Sequence, residues 1–201
     1  MKVLFLVSFL ISTLSSTTYA AGFHETSFDL VTAGTVYFGI SPLFSTGSYD
    51  SSTSSSYTSW GYQALVGFDY SFSESFGSRV YASYAHATGN NAANTDTINE
   101  KVTTNDFEIG GMLTFDGWAI GGGIMPRASS FDYVNGSTSF SSSYSGMLKF
   151  GKASLDFTSK GGKVGFSIAE SYIFGDVGDT TIYKVAEWKT SFNVSYLLNL
   201  K

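Results

Sequence analysis

A chain of 201 residues, 43% hydrophobic, 17% aromatic and only 13% charged, fits one domain but lacks the charge density that keeps a soluble surface wet. Its 22 glycines and 13 tyrosines, with abundant Ser and Thr, favour strands and turns over helices. The absence of cysteine excludes a disulfide framework, a thiolate metal site or a Cys nucleophile, and a net charge of −5 argues against a nucleic-acid partner.

In chain order, residues 1–20 read as a signal peptide: Lys2 gives the positive end, Val3 to Ile11 the apolar middle, and Thr18-Tyr19-Ala20 the cleavage site. That apolar run is too short to span a bilayer as a helix. The mature unit is then 21–201. No later apolar run reaches the roughly eighteen residues of a transmembrane helix. Period-two alternation replaces it. Strand one runs from Phe28 and Leu30 to Val36, Phe38 and Ile40. The second alternates Trp60, Tyr62, Ala64, Val66, Phe68, Tyr70 and Phe72 with Gly61, Gln63, Leu65, Gly67, Asp69 and Ser71. Val80, Ala82 and Tyr84 mark the third; Phe107, Ile109, Leu113 and Phe115 the fourth; Trp118, Ile120 and Ile124 the fifth. The sixth starts at Tyr144, Leu148 and Phe150, the seventh carries Val164, Phe166, Ile168 and Tyr172, and the eighth runs from Trp188 to Leu200.

Connections alternate in length. Ser73 to Gly77, Asp116-Gly117 and Ser159 to Gly162 are short, and Gly117 suits a type I′ turn. Pro42 to Ser56 and Gly89 to Thr104 read as long polar loops, with further connections at Asn135-Gly136 and Gly175 to Thr180. Short turns at one end and longer loops at the other is the pattern of a transmembrane barrel, short side periplasmic. The expected fold is all-β: an eight-stranded antiparallel up-and-down barrel with an apolar outer face.

Most strand charges fall on the polar, interior parity: Arg79, Glu108, Arg127, Lys149, Glu187 and Lys189. At a rise of about 2.5 Å per residue along the membrane normal, Glu108, Arg127, Lys149, Glu187 and Lys189 come to similar heights and form an expected interior network. Asp29, Asp69 and Arg79 make a smaller group near the periplasmic end. An eight-stranded interior can be filled by side chains, so the lumen reads as plugged. Three features strain the pattern. Glu170 falls on the lipid-facing parity; apolar parity in strand six shifts from Leu148 and Phe150 to Leu155 and Phe157, suggesting a bulge near Gly151-Lys152; and Pro126 marks the expected top of the membrane part of strand five.

With the leader, eight alternating segments and the final strand Phe192 to Leu200, the mature chain resembles the small OmpA/OmpX-type outer-membrane barrels. The resemblance implies an integral outer-membrane protein contacting lipid and lipopolysaccharide and inserted by the barrel-assembly machinery. In that family the last strand normally ends on an aromatic residue; here Leu200 and Lys201 stand there. Outer-membrane lipid A deacylases place His and Ser two apart on one strand, followed by Asn. His86 here is followed by Thr88 and Gly89, so that motif is broken at the nucleophile. His24 lies ahead of the first strand, and the loop acids Asp50, Asp96, Glu100, Asp132, Asp176 and Asp179 read as solvated. No cofactor or metal is expected, nor is enzymatic activity. The leading function is a structural or surface-interaction role, its outer loops meeting an unidentified ligand. A small channel for ions or apolar solutes and a lipid-modifying enzyme are the alternatives.

Overall fold

Strand-forming alternation yields eight antiparallel strands: β1 (Gly34–Asp50), β2 (Ser54–Ser71), β3 (Phe76–Asn91), β4 (Ile98–Phe115), β5 (Trp118–Asn135), β6 (Thr138–Thr158), β7 (Val164–Val177) and β8 (Tyr183–Leu200). Each pairs with its sequence neighbours, and β1 pairs with β8 to close the barrel. The computed structural model describes residues 34–50, 54–73, 75–95, 98–159, 162–179 and 182–200. The leader, His24, Phe28, Asp29, Leu30 and Asp96 lie outside these.

One end, the terminal end, carries Gly34, Leu200 and the β2–β3, β4–β5 and β6–β7 turns. The opposite, loop end carries the other four connections. These are shorter than the sequence suggests, because β1 and β2 pair up to Asp50↔Ser54 and β3 with β4 up to Asn90↔Lys101. Apolar alternation fades there, but the ladder is made by backbone groups and needs no apolar side chains. The polar segments therefore extend the strands.

At the β4–β5 turn, Asp116 and Gly117 both have positive φ (37° and 84°), the type I′ signature. Gly117→Val is expected to lower stability by about 1–2 kcal/mol, the cost of a side chain in left-handed backbone, read as a shifted urea midpoint. Asp116→Asn should leave the midpoint in place.

The outer face is apolar: Phe38, Ile40, Trp60, Val80, Ile120, Phe166 and Val194 are among its exposed residues. Aromatic girdles flank it. Tyr70, Phe72, Phe76 and Phe115 form a chain of ring contacts at 5.1–5.4 Å near the terminal end. Phe44–Trp60 and Tyr172–Trp188 touch at 4.5 and 5.0 Å toward the loop end. Trp60 and Tyr70 are ten residues apart on β2, about 25 Å at the rise of a tilted strand, which is the height of a lipid-facing band.

The expected bulge in β6 is absent. β6 stays in continuous register with β5 (Trp118↔Leu155 to Asn135↔Thr138) and with β7. Leu148 and Phe150 are instead buried inside, at 0% and 4% exposure, while Leu155 and Phe157 lie on the outward parity. Both faces of β6 carry apolar residues, which mimics a parity shift. β5 runs on past Pro126 to Asn135. The proline interrupts only its ladder with β4, which skips Phe107 and Glu108, as a residue without an N–H must. Register is likewise unbroken around Glu170, which pairs with Ala153 and Thr190 on the outward parity and accepts a hydrogen bond from Thr190 Oγ1 at 2.8 Å.

Candidate functional site: the barrel interior

Inward positions of β4, β5 and β8 carry most of the charge. Arg127 is 2% exposed and is held by two carboxylates and a phenol. Its Nε and Nη2 donate to Asp106 Oδ1 and Oδ2 at 2.7 and 2.8 Å, a bidentate fork, while Nη1 donates to Glu187 Oε2 at 2.5 Å and Tyr49 OH at 2.9 Å. One step nearer the terminal end, Glu108 pairs with Lys189 and accepts from Gln63 Nε2 at 3.2 Å. The Lys152 ammonium stands 3.6 Å from the same Glu108 and 4.6 Å from the centre of the Tyr81 ring. Nearer still to the terminal end, Arg79 is gripped by Asp69 at 2.7 and 2.9 Å and by Asp156 at 2.7 Å, its guanidinium 5.1 Å from the Tyr37 ring centre.

Five of the six residues expected inside are there: Arg79, Glu108, Arg127, Glu187 and Lys189. Lys149 is not. It lies exposed on the outward parity, paired with Ile124 and Phe174. Its place in the network is taken by Lys152, three residues on. Asp106 and Asp156 are also inside: Asp106 lies just ahead of the expected fourth strand, and Asp156 lies in strand six between Leu155 and Phe157. A register argument finds Lys152. The tight β4–β5 and β5–β6 turns fix pairing so that Lys149 faces Ile124 and Lys152 faces Gly121, and directly paired residues share a face.

Toward the loop end, Phe131 sits among four tyrosines: Tyr49 at 5.0 Å, Tyr57 at 5.8 Å, Tyr144 at 5.7 Å and Tyr183 at 5.8 Å between ring centres. Edge and offset contacts of this kind are the favourable ones. Tyr144 and Tyr183 share a hydroxyl contact at 3.2 Å. That hydrogen bond, followed by burial, pushes the Tyr183 phenol up to about 12. Toward the terminal end a cavity of about 50 Å³ is lined by Tyr37, Asp69, Arg79, Tyr81, Lys152 and Asn193, among others. Of its lining atoms, Tyr81 OH, Ser154 Oγ, Asp156 Oδ1 and Asn193 Oδ1 are buried and lack a protein partner.

On the outer wall, His86 Nδ1 lies 2.9 Å from Asn105 Oδ1, which also accepts from Tyr84 OH at 2.8 Å. The three groups bridge β3 and β4, with the Tyr62 ring 5.5 Å from the imidazole. Among the described residues no group of His, Asp or Glu is arranged to hold a metal ion.

A closed eight-stranded barrel with an apolar, girdled exterior and an ion-paired interior has the fold of the small outer-membrane barrels. Among solved structures, the chain is similar to Ail, the attachment invasion locus protein of Yersinia pestis, with a TM-score of 0.55, 14% identity and coverage of 82% of this chain and 99% of that one. Ail in complex with the heparin analogue sucrose octasulfate matches with a TM-score of 0.51 at 15% identity, over 82% and 99% of the two chains. Neisserial surface protein A matches with a TM-score of 0.50 at 13% identity, over 80% and 96%. No protein-family model and no curated protein matches the sequence.

Proposed function

We propose that this is an integral outer-membrane barrel with a closed lumen, acting without catalysis through its outer surface. The observation that carries this reading is the stacking of two unlike layers across the lumen. Arg127 with Asp106 and Glu187 is ion-paired, and directly beyond it Phe131 is ringed by tyrosines. Ions meet buried, already paired charges in the first layer and a low-dielectric ring stack in the second, and neither offers them a hydrated path. With the short turns periplasmic, the aromatic layer faces outward and the cavity faces the periplasm. That cavity has room for about three or four waters, which would satisfy its lone polar atoms.

With the lumen closed, ligands are met at the loop end and along the wall. Lipopolysaccharide is the lipid partner this placement implies, and insertion falls to the barrel-assembly machinery. Ail is seen with a polyanionic sugar analogue. The loop end here carries Asp50, Glu100, Asp132, Asp176 and Asp179 against Lys101 and Lys184 among the described residues, which disfavours a sulfated ligand and suits an uncharged or cationic one.

The membrane placement is tested by gel migration. Purified protein in mild detergent should run at different positions boiled and unboiled, because a closed ladder resists unfolding until heated, and the unboiled form should resist protease. Identical migration with protease sensitivity throughout would overturn it.

A further inference from the structure

From the terminal girdle up to the level of the loop-end girdle, outward positions are filled by apolar, aromatic, small or uncharged residues, with two exceptions among the described residues: Lys149 on β6, paired with Phe174 just beyond Tyr172 of the girdle, and Glu170 on β7. They have opposite sign and stand on adjacent strands. Charge on a lipid-facing wall is unfavourable in a depth-dependent way. Glu170 lies one outward position below Tyr172 of the girdle, with Ile168 and Phe166 beneath it. Its hydrogen bond from Thr190 leaves the charge itself uncompensated.

The two do not neutralise each other within one chain. Glu170 is paired with Ala153, and Lys149 stands four residues farther along β6, about 13 Å at the rise of a strand. On β6 the wall between them is low, and on β7 Tyr172, paired with Gly151, stands beside it. Gly151 and Ala153 are the outward residues of β6 there, and Gly122 of β5 is paired with Gly151. A Cβ placed on Gly151 meets nothing within 4 Å. Two such walls can approach closely, as small residues permit inside membranes.

We propose that this β6–β7 wall binds a second copy of the same chain in the membrane, with Lys149 of each copy paired to Glu170 of its partner. A two-fold axis along the membrane normal makes the contact self-complementary: the pair forms twice, and Gly151 lies near the axis. Both lipid-facing charges are then compensated by one interface. Among the described residues, other walls of the barrel offer no such complement, which sets the orientation of the pair. The proposal rests on the membrane placement above.

The chain has no cysteine, so a single Gly151→Cys reports the contact. Reconstituted in phospholipid vesicles and oxidised with copper phenanthroline, it should form a disulfide-linked dimer, whereas Ala82→Cys on the β3 wall should not. Adding Lys149→Glu or Glu170→Lys to Gly151→Cys should reduce the dimer several-fold, and the double reversal should restore it. Each variant is checked for heat-modifiable migration, so failure to form the barrel is separated from failure to dimerise. Equal cross-linking from Gly151→Cys and Ala82→Cys, or insensitivity to both single reversals, would overturn the interface. So would loss on Lys149→Glu that Glu170→Lys does not rescue, an outcome that assigns Lys149 to a lipid phosphate.

Discussion

Arg127→Met should destabilise the folded barrel by about 3–5 kcal/mol, the usual cost of removing one partner from a buried ion pair. Arg127 is fully enclosed and pairs with both Asp106 and Glu187. Methionine fills a similar volume but leaves two carboxylates in the lumen with no cation between them, and also frees the Tyr49 hydroxyl. Urea unfolding in lipid vesicles measures the change. Lys101→Met, an exposed change at the loop end, should move the midpoint little. A triple variant that also carries Asp106→Asn and Glu187→Gln should recover much of the loss, because the uncompensated charge is gone. Equal, negligible effects of Arg127→Met and Lys101→Met would mean that the interior charges are hydrated well enough to need no partner.

In planar bilayers the wild-type protein should give no steady conductance, only brief small openings. The two layers act in series, so removing either one alone should change little. Phe131→Ala opens the aromatic stack but leaves Arg127 and its carboxylates across the path. Conversely, Arg127→Ser with Glu187→Ser opens the ion-paired layer beneath intact rings. Combining all three should produce sustained openings, and the current should favour cations weakly, since Asp106 is then unpaired and the route carries four carboxylates against Arg79, Lys152 and Lys189. Steady porin-like current from the wild type would replace a closed lumen with a transport role. Silence of the triple variant would move the constriction to Met125, Leu148 and Ile173, which are wholly buried inside the barrel.

The barrel itself is legible because its signal is periodic. The run from Trp60 to Phe72 alternates without a break, and a sheet with an apolar outside must close in lipid. The chemistry of the interior is less so. Arg127, Glu187, Glu108 and Lys189 follow from parity within clean strands, but parity fails in β6, where Leu148 and Phe150 pack inside and Met147, Leu155 and Phe157 lie outside. Counting apolar residues there puts Lys149 on the wrong side. Pairing settles it, yet register depends on turns whose tightness is not evident until both flanking strands are placed. Asp106 is lost for a related reason. It follows a segment, Gly89 to Thr104, that is polar enough to resemble a loop although Gly89 to Asn91 and Ile98 to Thr104 belong to strands. The aromatic stack draws on five strands, and no local pattern announces that Phe131, Tyr57 and Tyr183 meet.

The partners of the ion-paired layers lie far apart along the chain: Arg127 and Glu187 are separated by 60 residues, Glu108 and Lys189 by 81. Both pairs wait for β8, the last strand to be synthesised and the one that meets β1. Until then the growing sheet carries Arg127 beside Asp106 and Glu108 beside Lys152, without the Glu187 and Lys189 that complete both layers. Closure therefore completes both ion-paired layers in one late event. The loop-closure entropy of such distant contacts makes it slow. The docking of β8 on β1 is the step that completes them.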